Sequence, residues 1–139
     1  MPTDFSDASR QALAATTFLA PGAGIDLLHV YGIWGEEQLS MAGAVEKAEQ
    51  YRQRTELWAM TSMDRWRLDI DLAGHPVEQH VRKGYASSGT VQFAADRKND
   101  LVVMGTVRRT GVSNVLIGNV TDHVLRTAPC DILIVPQNA

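Results

Sequence analysis

The segment from Asp100 to Pro136 constrains the fold of this chain more than any other. An apolar run, Leu101-Val102-Val103-Met104, stops at Gly105. A loop punctuated by Gly111 and Gly118 follows, then a short helical pattern that ends at Pro129. A second apolar run, Ile132-Leu133-Ile134-Val135, comes next. Near-continuous β-branched runs mark strands buried on both faces, and such strands are usually parallel and joined by a helical crossover. The segment therefore reads strand, loop, helix, strand. Its loop lies past the carboxyl end of a strand and before a helix N-terminus. Open α/β sheets bind ligands at that place, where backbone N–H groups and the helix dipole favour a phosphate.

The same alternation runs through the rest of the chain. Ala8, Ala12, Leu13, Ala15 and Leu19 recur at roughly helical spacing after Thr3-Asp4-Phe5-Ser6-Asp7. Ser6 or Asp4 is the candidate N-cap, and Pro21-Gly22 and Gly24 are the stop. Ile25 to Tyr31 reads as a strand terminated by Gly32 and Gly35. From about Gln38 to Ala73 the pattern is mostly helical. Leu39, Ala42 and Val45, with Ala44, Ala48 and Tyr51, line one side, and Glu46, Lys47, Glu49, Arg52 and Arg54 form a solvated face. Trp58, Met60, Met63 and Trp66 are expected to pack a core or an interface; a break near Thr61-Ser62 is left open. Gly74-His75-Pro76 is a stop. Val77 to Arg82 alternates apolar and polar residues, as a strand near a sheet edge does. A helix from Ser87-Ser88-Gly89-Thr90 to Asp96 then leads back to Asp100.

The resulting order, αβαβαβαβ, predicts an α/β fold with an open, doubly wound parallel sheet and helices on both faces. Such a domain normally opens with a strand before its first helix. Here only Met1-Pro2 precedes Thr3-Asp4, so the first strand is expected to be truncated. Three readings stand: a natural chain that begins upstream, a sheet incomplete at its centre, or a partner segment in the gap.

Composition narrows the function. A length of 139 residues suits one domain, taken here as residues 1–139. A net charge of −3 argues against a broad basic surface for nucleic acid. No apolar run approaches the roughly 20 residues of a membrane helix, and no signal-peptide pattern opens the chain. Cys130 is the single cysteine, which rules out an internal disulfide and a cysteine-cluster metal site. A soluble cytoplasmic protein is expected. His75, His80 and His123 lack metal-ligand spacing, so no metal site is expected, and His29 reads as a packed, hydrogen-bonded side chain. There is no Walker loop, since lysine is absent from Gly105 to Val135, and no GxGxxG. No acid/base pair stands out, so an enzyme is not expected.

At Gly105 to Val135 the chain resembles the universal stress protein family. That family carries an apolar strand ending in Met-Gly, the pattern G-x2-G-x9-G-[ST], a helix, and a last strand preceded by Ala-Pro-Cys-Pro or similar. Met104-Gly105, Gly118 and Ala128-Pro129-Cys130-Asp131 match. Thr106-Val107 and Arg109-Thr110-Gly111 resemble the loop of the tandem-type subgroup. Pro2-Thr3-Asp4-Phe5-Ser6 is similar to the family's first-strand terminus, and Leu27-Leu28-His29-Val30 to its second strand. The resemblance implies a Rossmann-like, adenine nucleotide alpha hydrolase-like fold. It further implies ATP or a related nucleotide as ligand, with magnesium accompanying ATP, and a homodimer through Ile132–Val135. It places Asp4 and Val30 on the adenine side, then Met104 and Gly105, and Gly118, Asn119, Val120 and Thr121 at the phosphates.

Two positions depart from the pattern. Arg108 stands at the second motif glycine, and Asn119 at the terminal Ser or Thr. Glycine there allows positive φ or close backbone approach; arginine lacks both freedoms, yet its guanidinium can bind a phosphate. Asn119 can still cap a helix and donate a hydrogen bond. Two functional readings follow. One is a stress-response module holding nucleotide at a degenerate loop, with at most slow, incidental ATP hydrolysis. The other is a nucleotide-free dimerisation or regulatory module in which Arg108 occupies the phosphate site.

Overall fold

A computed structural model describes residues 1–32, 40–72, 74–107 and 117–137. Among the described residues four helices and four strands alternate as the sequence pattern requires: α1 (Asp7–Leu19), β1 (Ile25–Tyr31), α2 (Val45–Arg67), β2 (Val77–Lys83), α3 (Ala86–Arg97), β3 (Leu101–Thr106), α4 (Asn119–Thr127) and β4 (Asp131–Pro136). The fold is α/β with parallel strand pairing throughout. Ile25 lies opposite Val77 in the first ladder, and Leu101 opposite Asp131 in the second.

The two ladders do not join into one continuous sheet among the described residues. The short segment Met1–Thr3 runs parallel to β1 through a bridge of Pro2 to Leu28. Thr3 N–H donates to Leu28 O at 2.8 Å and Leu28 N–H to Met1 O at 2.9 Å. This is the terminus of the first strand that the sequence leads one to expect.

Helix packing carries the rest. Leu13 of α1, Ile25 and Leu27 of β1, and Met63 and Trp66 of α2 form one buried cluster. Ala94 of α3, Val102 and Met104 of β3, and Val124 of α4 form a second. Helix α1 also packs on β3 and β4, and α3 on β1, so these two helices tie the ladders together. Ser6 caps α1, accepting from Ser9 N–H at 3.2 Å, while Asp4 accepts from Ser6 N–H outside the helix. Helix α2 runs unbroken through Thr61-Ser62. Its buried residues are Ala48, Ala59, Met63 and Trp66, whereas Val45, Tyr51, Trp58 and Met60 are exposed. Only half of the expected aromatic and methionine group is therefore core. Helix α4 stops at Ala128, whose extended backbone (ψ 144°) is the conformation a residue before proline prefers.

A polar network at the amino ends of β1 and β2 fastens α3 to the first ladder. Asp26 accepts from Arg97 at 3.0 and 3.3 Å, from Asn99 at 2.9 Å, and lies 3.0 Å from His80 Nε2. Arg97 also pairs with Glu78 at 2.7 Å. Burial pushes the Asp26 carboxyl up, but the bonds from Arg97, Asn99 and His80 outweigh it and lower the pKa to about 2. A carboxyl whose folded pKa is depressed stabilises the fold above its ordinary value of 3.8 and loses that contribution as pH falls towards 2. After allowance for solvent screening the contribution is roughly 1–2 kcal/mol. Asp26→Asn is expected to lose this stability at pH 7 and to match the wild type near pH 2, read from denaturant unfolding at both pH values.

Candidate functional site

Residues from the carboxyl ends of β1 and β3, together with Pro2, Thr3 and Asp4, line a cleft of about 190 Å³. Its floor is Pro2, Thr3 and Asp4 with Leu28, His29 and Val30 on one side and Met104 and Gly105 on the other. Its rim comes from the first turns of three helices: Ser9 of α1, Ala86 and Thr90 of α3, and Val120 and Thr121 of α4. Side chains do not cap α3 at Tyr85 or α4 at Gly118. The positive ends of both helix dipoles bear on the cleft.

Of the residues expected at the site, Asp4, Val30, Met104, Gly105, Val120 and Thr121 line this one cleft. Gly118 and Asn119 are exposed at the start of α4, beside the cleft but not in its lining. Arg108 lies outside the described residues, as does Gly111. Sequence reasoning did not single out Thr3, Ser9 or Thr90 for the cleft, and it read His29 as packing. Period-two alternation through β1 gives His29 a facing, but nothing local shows that its neighbour would be Thr3.

Asp4 is held firmly. Its Oδ1 accepts from Ser6 N–H at 3.0 Å, from Ser9 Oγ at 2.7 Å and from the Ser6 hydroxyl. Burial pushes its carboxyl up, and the bonds from Ser6 and Ser9 more than offset this, so its pKa lies below the ordinary carboxylate value. On the opposite side, His29 Nδ1 lies 2.8 Å from Thr3 O. A carbonyl oxygen only accepts, so Nδ1 carries the proton. The imidazole stacks on Phe5 at 4.4 Å between centroids, and Trp58 meets both rings edge-on at 5.9 and 6.4 Å.

The two described motif glycines behave differently. A Cβ built on Gly105 would stand 2.2 Å from Ala8 O and 2.8 Å from Ser9 N, so the end of β3 touches the backbone of α1 directly. A Cβ on Gly118 meets no described atom within 4 Å. Gly105 is thus required by packing, whatever else it does. One other titratable cluster gathers potential cation ligands: Asp26, Glu78 and His80, with ligand atoms within 4.8 Å of one another. There Arg97 already sits on both carboxylates, so the arrangement is an ion-pair network completed by a guanidinium.

An open parallel α/β domain, wound with helices on both faces and carrying a cleft at its strand ends, is the class to which fold and site assign this chain. The universal stress protein family model matches residues 1–136, and the chain belongs to that family. It is 26% identical to universal stress protein MJ0531 of Methanocaldococcus jannaschii over 145 residues, which cover 99% of this chain and 80% of that protein. The solved structure of protein MJ0577 matches with a TM-score of 0.78 at 24% identity, covering 99% of this chain and 94% of that one. A universal stress protein solved in complex with cAMP matches with a TM-score of 0.58 at 21% identity, covering 99% and 94% of the two chains.

Substituting Gly105→Ala forces apart two backbones that no rotamer change can separate. The expected cost is about 2–3 kcal/mol, a fall in Tm of roughly 10 °C. Gly118→Ala is expected to shift Tm by no more than about a third of that, since only the helix cap changes. Thermal unfolding of the two variants side by side checks the contrast.

Proposed function

We propose that this chain is a stress-response module that binds ATP or a related adenine nucleotide in the cleft between β1 and β3. The observation that carries the reading is the convergence of two uncapped helix N-termini with Asp4, Val30, Met104, Gly105, Val120 and Thr121 on one cleft. The neighbour solved with cAMP shares the fold and supports the class of ligand. The volume of about 190 Å³ is small for a whole ligand pocket but suits a nucleoside whose phosphates extend beyond the described lining. Asp4 is the single carboxylate of that lining. One carboxylate makes no magnesium cage by itself, so magnesium travels with the phosphates while Asp4 stays on the nucleoside side. Among the described lining residues the Ser9 hydroxyl donates to Asp4 Oδ1 and His29 Nδ1–H to Thr3 O, contacts that order the cleft around a ligand. We read it as a binding site, with hydrolysis slow and incidental.

Equilibrium titration tests this. ATP at up to millimolar concentration is expected to give a saturable signal with the wild type. In Asp4→Ala, which keeps the Ser6 cap, the signal should weaken about tenfold, the worth of one charge-assisted hydrogen bond. A folded wild type that shows no saturation, together with binding gained in Arg108→Gly, establishes the nucleotide-free reading instead.

The second proposed property is a homodimer through Ile132–Val135. β4 pairs with β3 on one side only among the described residues, and its four apolar residues are partly exposed. An open edge of this kind is a template for pairing. Light scattering at micromolar concentration is expected to give twice the chain mass of 15.2 kDa; the chain mass itself would refute the dimer. No described helix is long and apolar enough to cross a membrane.

A further inference from the structure

The turn that delivers Asp4 to the cleft contains a conformation that needs outside support. Phe5 has φ +66°, in the left-handed region that bulky residues rarely adopt. Part of the support is local, since Phe5 N–H donates to Thr3 Oγ1 at 3.0 Å. The rest comes from β1. His29 donates through Nδ1 to Thr3 O at 2.8 Å, and its ring lies under Phe5 at 4.4 Å, nearly parallel at 25°. One side chain therefore grips the peptide immediately before Asp4 and the ring immediately after it.

We infer that His29 is a positioning residue for the cleft: by donating to Thr3 O and backing Phe5, it sets the direction in which Asp4 presents its carboxylate to the ligand. The inference rests on the reading of the cleft as a nucleotide site, but the positioning itself does not require nucleotide to be bound. Two interactions of His29 are separable by substitution. Asn places an N–H donor where Nδ1 stands and removes the ring. Phe keeps an aromatic face for Phe5 and removes the donor.

The experiment compares wild type, His29→Asn and His29→Phe, with near-ultraviolet circular dichroism and Tm confirming that each is folded. Two readouts are taken. The first is the Asp4 carboxyl titration, followed by carbon-13 NMR in the absence of nucleotide. The second is ATP affinity. If the Nδ1–H bond positions the turn, His29→Asn keeps the depressed Asp4 titration and affinity within about threefold of wild type. His29→Phe then moves Asp4 towards the ordinary carboxylate range and weakens ATP about tenfold. Three results overturn the inference: the opposite order, equal loss in both variants, or an Asp4 titration unchanged in His29→Phe. Failure of the wild type to bind ATP removes the nucleotide reading alone, since the Asp4 titration still decides whether His29 positions the turn.

Discussion

The contact on which this domain depends is the one between the end of β3 and the first turn of α1. With no side chain at Gly105, the strand reaches the carbonyl of Ala8 and the N–H of Ser9. That approach seats α1 across both strand ladders, with Leu13 in the cluster beneath β1 and other α1 residues against β3 and β4. Among the described residues no strand pairing joins the two ladders, so hydrogen bonding across a continuous sheet is not what unites them. Helices α1 and α3 do so by burying side chains on each side. The cleft lies where the ends of β1 and β3 meet the start of α1, and the chain leaving Thr3 turns sharply at Phe5 to enter that helix.

A motif glycine is commonly taken as evidence for a ligand. Gly105 shows how that inference can be right about the fold and silent about the chemistry. The residue is explained by a helix backbone that would occupy the place of its Cβ. Gly118 has no such explanation among the described residues, where a Cβ would meet no atom within 4 Å.

Much of the architecture was legible in the sequence because period carries it. The apolar run Ile25–Tyr31 emerged as a strand with the same ends, and the Asp100–Pro136 segment as strand, helix and strand. Helix α2 was legible as a helix but not as to which face is buried. Trp58 and Trp66 stand eight residues apart, roughly 80° round the helix from one another, and Trp66 is core while Trp58 is largely exposed. The Asp26 network was not legible at all. Asp26, His80 and Arg97 are far apart in sequence, and each looks like an ordinary surface residue until the strands pair in register. The left-handed backbone of Phe5 was equally hidden, because nothing in Asp4-Phe5-Ser6 favours positive φ. It is imposed by the need to turn from the strand into α1 while Ser6 caps the helix.

The same turn sets the polarity of the cleft under the proposed reading. Two uncapped helix starts favour an anion, yet Asp4 places a carboxylate in the lining, and its bonds to Ser6 and Ser9 keep it charged. Two like charges about 4 Å apart repel by roughly 1 kcal/mol in water and several times that at a partly buried site. A nucleotide therefore cannot set its phosphates against Asp4 without forfeiting what the helix N-termini provide. The lower-energy orientation puts the uncharged, donor-bearing nucleoside beside Asp4 and Val30, and sends the phosphates towards Val120, Thr121 and the start of α4. The residue that most resists a phosphate thus selects which end of the molecule enters first, and its hold on that role is only as firm as the strained turn that carries it.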